Sequence, residues 1–224
     1  MPDSAAEIAN KRRLFRRRLA QSVRALSERS APLRAWIETC GPCTLEIRWE
    51  QSPYESLVRA IAHQQLHGRA AQTILGRLQA GFRGDGFPEP KQLARVKLDK
   101  LRRMGFSAAK AAAIQGIAAA TIQGQVPDRA EAERLSDAEL IQRLVALKGV
   151  GVWTVEMLLI FTLGRLDVMP ADDFGVKTGL KLLLELPDLP KKPAFAEHTA
   201  AWSPHRSVAA WYLWRRADAA KSPA

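Results

Sequence analysis

The residues best suited to chemistry lie between Leu147 and Lys177, in LKGVGVWTVEMLLIFTLGRLDVMPADDFGVK. At one end, Gly149 and Gly151 flank Val150. Glycine permits backbone angles that side chains forbid, so this turn can expose successive N–H groups at the start of the next helix. Those groups and the helix dipole suit an anion such as a phosphate, bound without reading sequence. At the other end, Asp172 and Asp173 follow Pro170 in PADDF and lead into FGVKTGLKLLL. An ionised carboxylate there could stabilise a developing cation, or position and deprotonate a water. Each motif also has a plain structural reading: a tight αα-corner for the glycines, helix capping for the aspartates.

The elements that must position these groups are helical. The hairpin is expected over 137–163, with Asp137–Ala146 leading into the glycine turn and Val152–Leu163 leading out. In the first of these, Leu140, Ile141, Leu144 and Val145 are expected to face inward. The segment 4–37 reads as helical, with Leu14, Leu19, Val23 and Leu26 at helical spacings. TLEIRWE (44–50) alternates like a strand but has no partner strand, so it is expected as an extended connection. From Pro53 onward the pattern is continuously helical, with Ser107 as an N-cap and Gly124 as a stop for the Ala-rich segment between them. The expected fold is all-α with nine or ten helices of about eleven residues. A basic helical segment, 1–50, is expected to pack on a core of 51–224.

The chain of 224 residues is 47% apolar and carries 34 Lys and Arg against 23 Asp and Glu, a net charge of +11. That balance favours a polyanionic partner, nucleic acid first. Six of the eight residues 11–18 are basic, which suits either a solvated helix face or a DNA-facing one. The two cysteines, in CGPC (40–43), exclude a disulfide framework and a four-thiolate zinc site, and read as a turn in a reducing cytoplasm. His63 and His67, four apart, lack a third ligand. No h-region for secretion is visible, and the run 152–163 is interrupted by Glu156 and too short for a bilayer. A cytoplasmic, nucleoid-associated monomer with no membrane contact is the expectation.

LKGVGVWT followed by an apolar helix and PADD resembles the helix-hairpin-helix and Gly/Pro-Asp signature of the helix-hairpin-helix DNA glycosylase superfamily. The resemblance runs from Tyr54 to Trp214. RAIAHQQLHGRAA resembles the helix that opens the core in the alkylated-base (3-methyladenine DNA glycosylase II) branch, in a compact form. MPADDF resembles that branch's catalytic loop (168–176), and WSPHRSVAAWYLW its C-terminal helix. The resemblance implies two helical subdomains flanking a basic cleft, with damaged double-stranded DNA as partner. It implies Asp173 as the catalytic carboxylate, leaving Asp172 as a helix cap or structural partner.

Further implications follow residue by residue. Trp153 stands where strand-cleaving members carry a nucleophilic lysine, so the enzyme is expected to leave an abasic site. Trp153, Phe174 and Trp214 match pocket positions, and Met157 occupies a place where some relatives have an aromatic. Trp202 and Trp211 read as core. In HQQLH, Gln65 or Leu66 is the side chain expected to fill the space left by a flipped nucleotide, with Gln64 and His67 near the groove. Lys148, Gly149, Val150, Gly151 and Thr154 form the phosphate-binding hairpin. The carbonyls of Val145, Leu147 and Val150 match a monovalent-ion site, although Lys148 replaces the usual proline. No cofactor is required, and the four cysteines of an iron–sulfur cluster are absent from this sequence. Three alternatives stay open: a glycosylase for deaminated or oxidised bases, a non-enzymatic damage-binding protein, and a structural helical protein using the same glycine turn.

Overall fold

The computed structural model describes residues 5–66, 68–84 and 86–221, and all regular structure among them is helical. Thirteen helices follow in order. They are α1 (Ala5–Arg29), α2 (Ala31–Cys40), α3 (Pro53–His63), α4 (Gly68–Ala80), α5 (Pro90–Arg95), α6 (Leu98–Arg103), α7 (Ala108–Ile122), α8 (Arg129–Arg134), α9 (Asp137–Val145), α10 (Val152–Phe161), α11 (Phe174–Leu183), α12 (Lys192–Ala200) and α13 (Arg206–Ala219). The count exceeds nine or ten because the stretch 4–37 divides into α1 and α2, and because the short α8 and α12, 6 and 9 residues long, add two more. None of the helices among the described residues is long and apolar enough to cross a membrane.

The chain forms two units, residues 1–50 with 164–224, and residues 51–163. The first fifty residues group with the C-terminal third, residues 164–224. Phe15, Leu19 and Leu26 bury one face of α1. Leu14, expected on that face, is 46% exposed, because its neighbour Phe15 takes the inward position and meets Trp49 edge-on. Ser30 breaks the N-terminal helix in two, its hydroxyl accepting the N–H of Leu33, with a proline in the first turn of α2. The segment 41–50 is extended without strand pairing, and Leu45 and Ile47 alternate inward. Trp36 Nε1 donates to the Tyr212 carbonyl at 3.0 Å, and Tyr212 donates its hydroxyl to the Gly41 carbonyl at 3.0 Å, joining α2 to α13. Both cysteines are free thiols. Burial raises Cys40 and pushes Cys43 up to about 12, so neither is a reactive thiolate.

The start of α13 is fixed by Asp167. It accepts Arg206 Nε at 2.7 Å, Arg206 Nη2 at 2.8 Å and the Ser203 hydroxyl at 2.8 Å. Burial pushes the Asp167 carboxyl upward, but the Arg206 and Ser203 donors outweigh it and hold the group below its ordinary value. A depressed carboxylate stabilises the fold above its unfolded-state pKa, and this contribution is lost as pH falls through the folded-state pKa. Asp167→Asn should therefore lower stability by about 1 kcal/mol at neutral pH, allowing for solvent screening. The gap from wild type should close on acidification, read from thermal melts across the acid range.

In the 51–163 unit, Ser52 caps α3 by accepting the Glu55 N–H, and Ser107 caps α7 by accepting the Lys110 N–H. Helix α7 buries Ala111, Ile114, Ile117 and Ala118; its small residues let α3, α5 and α6 approach. Helix α10 packs on α3 and α9. The buried Thr162 hydroxyl donates to that of Ser56 at 2.9 Å. On α9, Leu140 and Leu144 are buried, whereas Val145 is 37% exposed at the helix end.

Candidate active site

In the 1–50 and 164–224 unit, the acidic group sits at the start of α11. Asp173 is the N-cap of that helix, its Oδ1 accepting the Val176 N–H at 2.9 Å. The same oxygen accepts Trp214 Nε1 from α13 at 2.9 Å. The helix end also favours negative charge there. The pair Asp173–Trp214 is thus brought together from 41 residues apart.

Asp172 does not cap the helix. Its side chain is half-exposed and pairs with Lys192 at 2.8 Å and Lys177 at 3.5 Å. The hydrogen bond from Lys192 is the chief reason its carboxyl lies below the ordinary range. Of the two alternatives for Asp172, the structural partner is the one observed. Phe174, next along, is 69% exposed.

Two glycines that sequence reasoning passed over make this arrangement possible. A Cβ on Gly175 would stand 2.9 Å from Trp214 Cδ1 and 3.1 Å from Asp173 Oδ1. A Cβ on Gly179 would stand 2.0 Å from the Leu213 carbonyl oxygen. Glycines four apart share one helix face, and this face lets α13 come close enough for Trp214 to reach Asp173. The available signal was FGVKTG itself, with two glycines inside an apolar helix.

In the 51–163 unit, the hairpin turn is closed by Val150 N–H donating to the Leu147 carbonyl at 3.0 Å. Gly149 has φ +86, as the third residue of a type II turn requires, and a Cβ there would meet Ala113 Cβ at 2.6 Å. Lys148 takes the second position, which proline favours but most residues can adopt. Gly151 differs from expectation. It is the N-cap of α10 with ordinary extended angles, φ −96 and ψ 171, and a Cβ there would meet nothing within 4 Å. No side chain caps α10, which leaves its first N–H groups to other acceptors.

Thr154, expected among the phosphate ligands, is 1% exposed. Its hydroxyl accepts Gln64 Nε2 at 3.0 Å, and the same nitrogen donates to the Gly149 carbonyl at 3.2 Å. Thr154 and Gln64 therefore brace the hairpin from inside, because burial removes the threonine hydroxyl from an external ligand. Trp153 and Met157, one turn apart on α10, are half-buried while Val155, Leu158 and Leu159 are buried. At the end of α3, Gln65 and Leu66 are exposed, and His67 lies outside the described residues. Gln65 has φ +53, and Leu66 N–H donates to the His63 carbonyl at 3.2 Å. Trp202 and Trp211 are buried.

Comparison with known proteins identifies the family of the chain. The profile of the HhH-GPD superfamily base excision DNA repair protein family matches residues 58–205. DNA-3-methyladenine glycosylase 1 of Schizosaccharomyces pombe is 47% identical over 74% of this chain and 73% of its own length. The alkylbase DNA glycosidase-like protein mag2 of the same organism is 39% identical over 80% of this chain and 84% of its own. Among solved structures, the Schizosaccharomyces pombe 3-methyladenine DNA glycosylase Mag1 in complex with abasic DNA superposes with a TM-score of 0.84 at 40% identity, covering 91% of this chain and 100% of that one. A DNA-3-methyladenine glycosidase from Bacillus halodurans does so at 0.74 and 35%, covering 88% of each. With more than half of its length matched by the family profile, the chain belongs to the HhH-GPD superfamily of base excision DNA repair proteins.

Proposed function

We propose that this protein is a monofunctional DNA glycosylase that releases alkylated purines, of the 3-methyladenine and 7-methylguanine type, from duplex DNA and leaves an abasic site. The observation that carries the reading is Asp173, held at the start of α11 by the Val176 N–H and Trp214 Nε1–H. As the bond between sugar C1′ and the base nitrogen breaks, positive charge grows on the sugar. A fixed carboxylate stabilises that charge and orients the water that adds to C1′. The base must first leave the stack. Alkylation makes the purine electron-poor and often cationic, which suits contact with an electron-rich ring such as Phe174 or Trp214 beside Asp173. It also makes the base a better leaving group. Relatives bearing 3-methyladenine glycosylase names support the same substrate class.

Trp153 supports hydrolysis without strand cleavage, because an indole cannot form the Schiff base that cutting requires. The turn 148–151 and the uncapped start of α10 would receive a backbone phosphate. Among the described residues no group of three His, Cys, Asp or Glu side chains could hold a metal. The carbonyls of Val145, Leu147 and Val150 remain as hard oxygen donors for a monovalent cation. Leu147, whose oxygen accepts the Val150 N–H, keeps a second lone pair for it. No other cofactor enters the reading, and the protein would act as a cytoplasmic monomer.

Incubation with duplex DNA bearing N-methylated purines tests this directly, with free base and strand breaks measured separately. Release of methylpurine with intact strands is expected. Strand cleavage without added base or amine would overturn the monofunctional mechanism. Release of deaminated or oxidised bases alone would replace the substrate class. Binding without any release would make the protein a damage-binding module.

A further inference from the structure

Several cations of the 51–163 unit donate to backbone carbonyls, and one of them lies against the end of α3. Lys110, near the start of α7, directs Nζ to the Gln64 carbonyl at 2.6 Å and the Ala62 carbonyl at 3.0 Å. These lie at the C-terminal end of α3, where helix carbonyls lack partners and a positive charge is favoured. Directly after them the chain makes the turn 63–66, in which Gln65 holds φ +53. Glutamine rarely adopts that conformation, and such angles persist only where surrounding contacts fix them. One turn along α7, Ala113 abuts Gly149 of the hairpin turn. The Gln64 side chain closes the circuit through the Gly149 carbonyl and the Thr154 hydroxyl. One face of α7 thus supports both exposed turns, and Gln64 is gripped by main chain and side chain alike.

We infer that Lys110 is a positioning residue for duplex invasion: it holds the 64–66 segment in its entering shape and in fixed register with the phosphate-binding hairpin. The inference rests on the reading above that Gln65 or Leu66 fills the space left by the flipped nucleotide. In this inference Lys110 acts through the two carbonyls it holds, those of Ala62 and Gln64, and not on the reacting base. Burial also lowers its pKa, as expected for an ammonium turned away from water.

The test uses the full-length protein with Lys110→Met and Lys110→Arg. The first readout needs no catalysis: fluorescence of a 2-aminopurine placed beside an abasic site in a duplex, which changes when a side chain enters the stack. Wild type and Lys110→Arg are expected to give the full change, and Lys110→Met a reduced one at saturating protein. The second readout is single-turnover release of methylpurine, from a fully paired site and from the same site opposite an abasic residue. Misplacement by about an ångström costs on the order of a hundredfold, so Lys110→Met should slow release from the paired site by about ten- to a hundredfold. The unpaired site, which needs less invasion, should be affected far less. Equal losses at both sites, or an unchanged fluorescence response, would overturn the inference. If wild type released no methylpurine while the fluorescence difference between variants held, the substrate reading would fail and the role of Lys110 would stand.

Discussion

Asp173→Asn should lower base release by about 10²- to 10³-fold, the range seen when one preorganised electrostatic group is removed from an active site, while fold and DNA affinity persist. The choice of asparagine matters because Asp173 has two roles in this structure. It is the N-cap of α11 as well as the acidic group beside Trp214. Asparagine is as good an N-cap as aspartate, and its amide oxygen can still accept the Val176 N–H and the Trp214 indole N–H. Only the negative charge is removed. Alanine would also remove the cap, at a cost of about 1 kcal/mol, and would mix folding with chemistry. The control is Asp172→Asn, whose parent carboxylate is half-exposed and paired with Lys192 and Lys177. Exposed pairs of this kind contribute about 0–1 kcal/mol, so this variant should keep nearly full activity. The measurement is release rate at saturating methylated duplex, with thermal melts of all three proteins. A wild-type rate in Asp173→Asn, or a loss confined to Asp172→Asn, would move the chemistry to the other carboxylate.

The sequence made the chemistry more legible than its support. The aspartate pair and the glycine turn stand out by residue type, whereas the choice of Asp173 over Asp172 and the reading of Trp153 come from the family resemblance. Helix positions follow equally well from local signals, as Ser52, Ser107 and Ser136 show by capping the helices they precede. What sequence periodicity leaves open is which of two adjacent apolar residues turns inward. Leu14 and Phe15 differ by one helical step, and only the proximity of Trp49 decides for Phe15. The two hairpin glycines look alike in sequence, yet Gly149 alone needs its positive φ and lack of a Cβ within this chain. Lys110 carries no signal, being a lysine in an Ala-rich helix like any solvated one; its role depends on carbonyls 46 and 48 residues away. The grouping of 1–50 with 164–224 depends on long-range contacts such as Trp36 to Tyr212, which no local pattern encodes.

The glycine face of α11 yields the largest expected effect on stability. In Gly179→Ala the added carbon would lie 2.0 Å from the Leu213 carbonyl oxygen, 2.5 Å from its carbon and 2.8 Å from its Cα. All three are backbone atoms of α13, so no rotamer change relieves the overlap and the two helices must separate. Alanine recovers about 1 kcal/mol of helix propensity. Overpacking commonly costs 1–3 kcal/mol and more where nothing can yield, so a net loss of about 3 kcal/mol is expected. For a chain of this size each kcal/mol is worth about 2–4 °C, which puts the fall in Tm at roughly 6–12 °C. Gly175→Ala gives the contrasting result. There the nearest atoms belong to the Trp214 ring and the Asp173 carboxylate, side-chain groups that can move. Stability should change little, but the indole would be pushed from Asp173 and base release should fall about ten- to a hundredfold. Melting curves and release rates measured on both variants separate the two effects. If Gly179→Ala melted like wild type, α13 could not lie as close to α11 as the Asp173–Trp214 hydrogen bond requires. If Gly175→Ala kept full activity, that hydrogen bond would have no part in holding the Asp173 carboxylate for the proposed reaction.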